Sequence, residues 1–287
     1  MLSCFRRAGA PSVRRAARRV IAMTEADVTV LVPHFQTLEA IRLCLRSIRR
    51  YSATAPRVLV LDNGSADASL DYLRGLRWIT CVDTGVPNAD PNAHAAALNV
   101  GAARVDTPYF LVMHSDTYVH RPGWLQMLLD ACRRGDYGAV GSRHQTIRAY
   151  GLAWLAALAA RSAPLLQRWA GRSTSGGTPW LRSCLTLYRT DAYRAAGASF
   201  ARIGKEDVTH PANAQLVASG ARVLGLPDRA VGYYVFHKGD TTRIANRLYD
   251  RTDSAFRAKL QRHQEYVGGF YARPSTRAVL TDASLDE

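Results

Sequence analysis

Residues 109–124 are Tyr-Phe-Leu-Val-Met-His-Ser-Asp-Thr-Tyr-Val-His-Arg-Pro-Gly-Trp, and the stretch changes character in the middle. An apolar run from Tyr109 to Met113 ends in a polar triplet, and Pro122-Gly123 then begins a helical pattern. This is typical of a buried parallel strand that presents a carboxylate at its C-terminal end, where ligands of open α/β sheets bind. Asp116 is therefore the first candidate functional residue. The alternative is that Asp116 only caps the following helix.

The chain before this stretch alternates between buried strands and amphipathic helices. Continuous β-branched segments predict the strands, and apolar residues at three- and four-residue spacing predict the helices. The predicted elements are strands at 27–32, 57–61, 78–82 and 109–113, and helices that begin near 38, 67 and 94. This alternation predicts an α/β fold with a doubly wound, mainly parallel sheet.

Four of the predicted loops carry polar or aromatic residues on the same side of this sheet. They are Phe35, Asp62, His94 and Asp116. Because the carboxyl ends of parallel strands share one edge, we expect these side chains to converge on a ligand site. The alternative is that each residue separately serves only its own turn.

Beyond residue 124 the pattern is less regular. The predicted elements are helices at 124–134 and 204–219, strands at 185–188, 222–226 and 231–236, a short helix capped by Asp191, a basic helix at 244–266, and a loose tail after Pro274. Glu206 and Asp207 either pair with a helix dipole or place one carboxylate in a cleft. His237, at a strand end, is either a metal ligand or a structural histidine.

Composition limits the classes of function. The 287-residue chain is 47% hydrophobic and carries a formal net charge of +15 with a pI near 10.1. No recognised nucleic-acid module accompanies this charge, so we expect no specific nucleic-acid partner; an anionic membrane or nucleotide-linked substrate explains it at least as well. Five widely spaced cysteines predict reduced thiols and a cytoplasmic protein rather than a disulfide framework.

Three segments admit more than one interpretation. Residues 1–23 are basic and are expected to be either a disordered extension or sequence upstream of a true start at Met23, with a transit peptide or a membrane-surface arm as alternatives. Residues 150–169 are rich in apolar and aromatic side chains, which favours a core helix pair over a membrane surface or a groove for a lipid-linked acceptor. The Gly- and Ser-rich loop at 171–177 is either a lid or a linker.

The ordered set of these motifs resembles the inverting family 2 glycosyltransferases of the GT-A fold. The resemblance runs from about Asp27 to Thr242. The matching segments are Val30–Phe35, Leu61–Asp67, His94–Gly101, His114–Asp116, Lys205–Asp207 and Val235–Gly239. Each motif is weakly specific alone, whereas their order along the chain is fairly specific.

The resemblance implies a role for each matching residue. Pro33, Phe35, Asp62, His94, Asn99 and Ser115 would bind the nucleotide sugar. Asp116 and His237 would bind Mg²⁺ or Mn²⁺ on the diphosphate. Asp207 would be the general base that deprotonates an acceptor hydroxyl, with Glu206 as the second candidate. His114 departs from the family, which usually has an Asp there, so part of the ribose or metal contact is altered.

The resemblance also implies how the chain is organised and what it contacts. Residues 24–120 would form the nucleotide-sugar-binding half of one GT-A domain and 121–243 the acceptor-binding and catalytic half, followed by a basic helix and tail at 244–287. The partners would be a nucleoside-diphosphate sugar and a hydroxyl acceptor (a glycan, a glycolipid or a lipid-linked or anionic molecule), with peripheral contact to the anionic inner membrane face.

Three other functions remain open. A retaining transferase could use the same fold. A nucleotidyltransferase would need a Gly- and Lys/Arg-rich loop after the first strand, where residues 33–37 have none. A catalytically silent scaffold or membrane-docking module would tolerate the loss of Asp116, Asp207 or His237, and the presence of all three disfavours it.

Overall fold

The computed structural model describes residues 24–88, 90, 92–148, 180–237, 239, 241, 244 and 254–287. The predictions for residues 1–23, for the aromatic segment 150–169 and for the loop 171–177 lie outside these residues, as do most basic side chains predicted for the C-terminal helix. None of the described helices is both long and apolar enough to cross a membrane.

The described part of the chain forms a seven-stranded sheet and a two-stranded ribbon. The strands are β1 (Val28–His34), β2 (Arg57–Asp62), β3 (Thr80–Asp83), β4 (Tyr109–Met113), β5 (Thr117–Val119), β6 (Tyr137–Ser142), β7 (Leu185–Arg189), β8 (Arg222–Leu226) and β9 (Val235–His237). The sheet order is β3-β2-β1-β4-β7-β6-β8, and β5 pairs with β9 in the ribbon. Within the sheet only β7 runs antiparallel to its neighbours, which confirms the mainly parallel α/β fold.

Helices connect and cover these strands. They are α1 (Leu38–Tyr51), α2 (Ala68–Gly75), α3 (Ala93–Ala103), α4 (Trp124–Arg134), α5 (Thr190–Ala195), α6 (His210–Ala218), α7 (Asp228–Tyr234), α8 (Ser254–Tyr271) and α9 (Pro274–Thr281), with 3₁₀ turns at Glu25–Asp27 and Ala283–Asp286. α3 lies close to the sheet at Gly101, where an added Cβ would come within 2.8 Å of the Leu61 side chain. A larger residue at this position would require the end of that side chain to move.

The alternation of side chains along β1 and β4 separates two apolar layers. Val30 and Val32 belong to one buried cluster, which includes α1 and α4, and Leu31 between them belongs to the other. Leu111 and Val112 divide in the same way on β4. Both faces of the central strands are buried, and this explains why their sequences are continuously apolar.

The strand order creates a switch point between β1 and β4. From β1 the chain proceeds outward to β2 and β3, and then returns to the other side of β1 as β4. The two crossovers leave from opposite sides at the carboxyl ends of β1 and β4, so a crevice opens there. The segments that follow these strands contain Phe35 and Asp116.

Several predicted elements need correction. Residues 231–234, predicted as strand, form the end of α7, because Pro227 and Asp228 supply a helix start and a short apolar run alone does not distinguish helix from strand. The helix predicted from 204 begins only at His210. Asp191 lies in the first turn of α5, whose N-cap is Arg189. Strands β5 and β6 were not predicted.

The prediction of a loose tail after Pro274 is wrong. Residues from Pro274 form α9 and a 3₁₀ turn that pack against α1. Asp286 accepts hydrogen bonds from the buried guanidinium of Arg46 and, at 2.8 Å, from the hydroxyl of Tyr72. The partners are more than 200 residues apart in sequence, so no local pattern could indicate them.

Candidate active site

A cleft of about 790 Å³ lies at the carboxyl ends of β1 and β4. Its walls come from the loops after both strands, the start of α3, and the segment that precedes α6. The lining residues include Pro33, Phe35, Asn63, His94, His114, Ser115, Asp116, Arg182, Ser183, Arg202, Lys205, Glu206, Asp207 and Thr241. Most of the residues predicted to be functional therefore surround one space.

The ribbon of β5 and β9 brings Asp116 and His237 together. Thr117 pairs with His237 in this ribbon, so a residue of the β4 end and one 121 positions later become neighbours. The Nε2 of His237 lies 3.0 Å from Oδ1 of Asp116, and the backbone N–H of Thr241 donates to Oδ2 at 3.3 Å.

Burial and the contact between Asp116 and His237 shift the pKa values of these two residues in opposite directions. Burial alone would raise the pKa of Asp116, but the adjacent His237 and His114 hold that pKa well below its ordinary range. Burial would lower the pKa of His237, whereas the Asp116 carboxylate raises it well above its ordinary value. Both shifts favour the charged form of the pair, a carboxylate hydrogen-bonded to an imidazolium.

His114 completes a cluster that the sequence did not reveal. Its Nδ1 lies 3.2 Å from Nε2 of His237, and its Nε2 lies 2.8 Å from Oγ of Ser183. Burial, reinforced by the charges of His237 and His94, lowers the pKa of His114 to about 3. His114, Asp116 and His237 each offer a ligand atom, and these atoms all lie within 4.8 Å of one another. Imidazole and carboxylate groups at this spacing fit a divalent metal ion.

Asp207 is held in place on the opposite side of His114. Its Oδ1 accepts from the N–H groups of Ser183 and Thr209, both at 3.1 Å, and from the Thr209 hydroxyl at 2.8 Å. Its Oδ2 accepts from the Ser183 hydroxyl at 3.1 Å. Burial would raise the pKa of Asp207, but nearby His114 and the bonds from Thr209 lower it. The side chain of Glu206 is half exposed and lies 3.7 Å from His210.

The remaining predicted binding residues differ in position. Pro33, Phe35, His94 and Ser115 line the cleft. Asp62 lies behind it: Oδ2 accepts from the turn amides of residues 64 and 65, while its buried Oδ1 has no partner among the described residues.

Asn99 does not line the cleft. Its side-chain amide donates to the carbonyl oxygen of Phe200 at 2.8 Å and accepts from the N–H of Phe200 at 2.9 Å. Both groups of the amide are thereby used to join α3 to the segment before α6. This is a structural contact, and the contact of Asn99 with the donor stays a prediction.

Three basic residues of the cleft were not among the sequence candidates. Arg182, Arg202 and Lys205 line the wall that also carries Asp207. The spread of basic residues along the chain concealed them, because only the fold shows which of these charges face the cleft. A diphosphate or another anion would meet favourable charge on this wall.

A mainly parallel α/β sheet of this order, with a cleft at its switch point, matches the GT-A fold. The chain belongs to glycosyl transferase family 2, whose model matches residues 29–197, more than half of the 287 residues.

Solved structures of similar fold include two transferases. The mannosyltransferase PcManGT from Pyrobaculum calidifontis, in complex with GDP-Man and Mn²⁺, is 17% identical with a TM-score of 0.54, over 90% of this chain and 75% of that one. TarS 1-349 of S. aureus, in complex with UDP-GlcNAc, is 16% identical with a TM-score of 0.54, over 78% of this chain and 61% of that one. At these identities the likeness concerns the fold.

A curated relative is similar over a shorter region. It is the teichoic acid poly(glycerol phosphate) polymerase of Staphylococcus epidermidis, which is 29% identical over 98 residues. The match covers 31% of this chain and only 12% of that protein.

Proposed function

We propose that this chain is an inverting glycosyltransferase that moves a sugar from a nucleoside-diphosphate sugar to a hydroxyl acceptor. The observation that carries the proposal is the arrangement of the cleft at the switch point. Asp207 and Asp116 line it, the buried His237 contacts Asp116, and His114 and Ser183 connect these groups to Asp207. A base for the acceptor and a site for the leaving diphosphate are then close together.

The donor is assigned to the half of the domain formed by residues 24–120. Phe35, which lines the cleft, would contact the base. Asp62 lies behind the cleft, and its buried, unpartnered Oδ1 would accept from the polar edge of the base after the neighbouring turn has moved to admit it. UDP-GlcNAc and GDP-Man in the two solved transferases support a nucleotide sugar as the ligand of this fold. Residues 121–243 would bind the acceptor, and Arg182 and Lys205 would offer charge to an anion on that side.

Asp116 and His237 would hold a divalent cation, Mg²⁺ or Mn²⁺. Such an ion, when bound, stabilises the negative charge that grows on a departing diphosphate. The Mn²⁺ in the mannosyltransferase structure is consistent with this requirement. The low pKa of Asp116 keeps the carboxylate ionised and ready to bind a cation at neutral pH.

Asp207 would take the proton from the attacking hydroxyl. Three hydrogen bonds occupy Oδ1, whereas among the described residues Oδ2 accepts only from the hydroxyl of Ser183, so Oδ2 keeps a lone pair for the acceptor proton. Its lowered pKa makes Asp207 a weak base that is fully ionised at neutral pH. Catalysis then depends on its fixed position next to the nucleophile.

The test is a transfer assay with UDP- and GDP-sugars on the full chain, in which the anomeric configuration of the product is determined by NMR. We expect inversion, and we expect Asp207→Asn to lower kcat by about 10²–10⁴-fold, as for the loss of a general base. Glu206→Gln is the matched comparison and should retain most activity. Retention of configuration would support the retaining mechanism, and a larger loss with Glu206→Gln would transfer the base role to Glu206.

Failure to bind or turn over any nucleotide sugar would favour the silent scaffold. Thermal shift assays with and without Mn²⁺ test whether a nucleotide sugar binds, and they need no acceptor. A donor that binds the folded state raises Tm.

The acceptor is proposed to be anionic or lipid-linked, with peripheral contact to an anionic membrane surface. The net charge of +15 supports this. Sedimentation with anionic and neutral liposomes at low salt tests it. Equal or absent binding to both would remove the membrane part of the proposal and leave the transfer reaction untouched.

A further inference from the structure

The hydrogen bonds around two histidines fix which ring nitrogens carry a proton. Nδ1 of His237 contacts the backbone carbonyl oxygen of Gln145, and a carbonyl only accepts, so Nδ1 must donate. The hydroxyl of Ser183 uses its one proton toward the carboxylate of Asp207, so its oxygen must accept from Nε2 of His114. In their neutral forms, His237 therefore has its lone pair on Nε2 and His114 on Nδ1.

Both lone pairs converge on the same carboxylate. Nδ1 of His114 is 3.2 Å from Nε2 of His237, which is 3.0 Å from Oδ1 of Asp116, and the third side of the triangle is 3.9 Å. With both histidines neutral, three acceptors this close repel one another; a proton on Nε2 of His237, or a metal cation in its place, relieves the repulsion. Ligand atoms bonded to one ion at about 2.1 Å are separated by roughly 3 Å, which is close to these distances.

We propose that His114 is a third metal ligand, and that the resulting set of two imidazole nitrogens and one carboxylate oxygen selects a first-row transition dication such as Mn²⁺ or Co²⁺ over Mg²⁺. The inference rests on the proposed cation site at Asp116 and His237 and names its metal class. Mg²⁺ prefers oxygen ligands and retains its water, whereas imidazole favours transition metals. The residue that departs from the family pattern thus changes the preferred ion.

The same contacts make Ser183 and Asp207 an outer shell of the metal site. Ser183 orients the ring of His114 and fixes its tautomer, and Asp207 in turn orients the hydroxyl of Ser183. Loss of an outer-shell partner typically lowers metal affinity by about 10–100-fold. Ser183 is therefore a positioning residue for the metal ligand as well as for the proposed base.

The direct experiment is a titration of the metal-stripped full chain with Mn²⁺, in which EPR measures the concentration of free Mn²⁺. The titration is carried out once without nucleotide and once with UDP or GDP. Mg²⁺ is added as a competitor. Pulsed EPR should detect two coordinated imidazoles in the wild type and one in His114→Gln. Affinity for Mn²⁺ should fall in His114→Gln by at least about 10-fold, which is the smallest loss typical of removing an outer-shell partner. In His114→Asp, Mg²⁺ should compete more effectively, because an oxygen has replaced a nitrogen.

His120→Gln serves as the control, because His120 is a partly buried histidine that contacts the backbone of Gly232 instead of the cleft. Ser183→Ala should weaken Mn²⁺ binding about 10-fold or more. Ser219→Ala removes a hydroxyl that, among the described residues, bonds to the carbonyl oxygen of Leu216 at the end of α6, and it should not change Mn²⁺ affinity. Thermal unfolding of each variant shows whether it is folded.

Unchanged Mn²⁺ affinity and an unchanged imidazole count in His114→Gln would overturn the inference. The inference would also be overturned if the wild-type protein bound no Mn²⁺ either with or without nucleotide. The transfer assay separates these results from the proposed function, because sugar transfer by His114→Gln would preserve that function without this ligand. Transfer by the wild type in a chelator would keep the transfer reaction but remove the cation proposed for it.

Discussion

The ends of β2 and β4 are locally alike, yet their aspartates have different surroundings. Each strand is a buried parallel strand that leads into an Asp, namely Asp62 and Asp116. Asp62 turns one oxygen to the amides of Gly64 and Ser65, two and three residues further along the chain. Asp116 instead meets His237, which is 121 residues away. The carboxylate of Asp62 stabilises the turn that follows it, whereas the carboxylate of Asp116 connects segments that are distant in sequence.

The difference teaches that a strand-end aspartate acquires its chemistry from what the fold places opposite it. Asp62 has only neutral donors on one oxygen, which leaves the other available to a neutral polar ligand. Asp116 faces two imidazoles, a combination suited to a cation. If this distinction holds, substitutions at the two sites should impair different steps.

Of the two strand ends, the larger effect is expected at β4. Asp116→Asn removes the charge next to His237, and we expect kcat/KM for sugar transfer to fall by about 10²–10³-fold, as when a charge-stabilising group is lost. Mn²⁺ affinity should fall in the same variant. Kinetics and Mn²⁺ titration measure both; wild-type metal affinity in Asp116→Asn would break the comparison.

A smaller and different effect is expected at the β2 end. Asp62→Asn keeps one oxygen for the turn amides but lacks the charged acceptor, so nucleotide-sugar affinity should fall by about 2 kcal/mol, roughly 30-fold. Isothermal titration with the donor measures this loss. Mn²⁺ affinity measured without nucleotide should stay at the wild-type value, and a parallel loss there would mean that the two ends form one site.

A pH dependence is expected at the end of β1, between the two aspartates. Burial lowers the pKa of His34 to about 4, from 6.5 in the unfolded chain. Below pH 6.5 the unfolded state binds a proton that the folded state does not, so stability is complete above this pH and falls as the pH drops toward 4. The loss from this residue at pH 5 should be about 2 kcal/mol.

Urea unfolding of the wild type and His34→Gln between pH 7 and pH 5 measures this dependence. Gln retains a polar group for the hydroxyl of Ser69, which lies 2.8 Å from the histidine ring. The variant should therefore be folded at pH 7 and lose less stability on acidification. Parallel curves for the two proteins would assign the acid sensitivity to other groups.

The smallest effect is expected far from the cleft, at the C-terminal contact. Asp286→Asn should lower the free energy of unfolding by about 1 kcal/mol, because Asn still accepts one hydrogen bond and water reaches the partly exposed Asp286. Chemical unfolding measures the change. Donor and metal affinities should not alter, and a change in either would show that this contact also supports the site.

The sequence predicted the elements of the first half well because their signals are local. The apolar runs of β1 and β4 and the spacing of α1 depend only on neighbouring residues. Strand β6, with two glycines, lacks such a run, and α7 has too few apolar residues to distinguish helix from strand. The last residues looked like a tail because their contacts are with Arg46 and Tyr72.

By itself, the sequence of this protein determined a mainly parallel α/β fold and the strand ends that carry polar residues, since hydrophobic patterning and turn chemistry act over a few residues. Only the tertiary structure decided that His114 joins Asp116 and His237, that Ser183 connects His114 to Asp207, and that Asn99 contacts Phe200 outside the cleft. The partner of such a polar group depends on the strand order and on the crossovers, which bring segments more than 60 residues apart into contact. A pattern of neighbouring residues does not specify partners that are so distant in sequence.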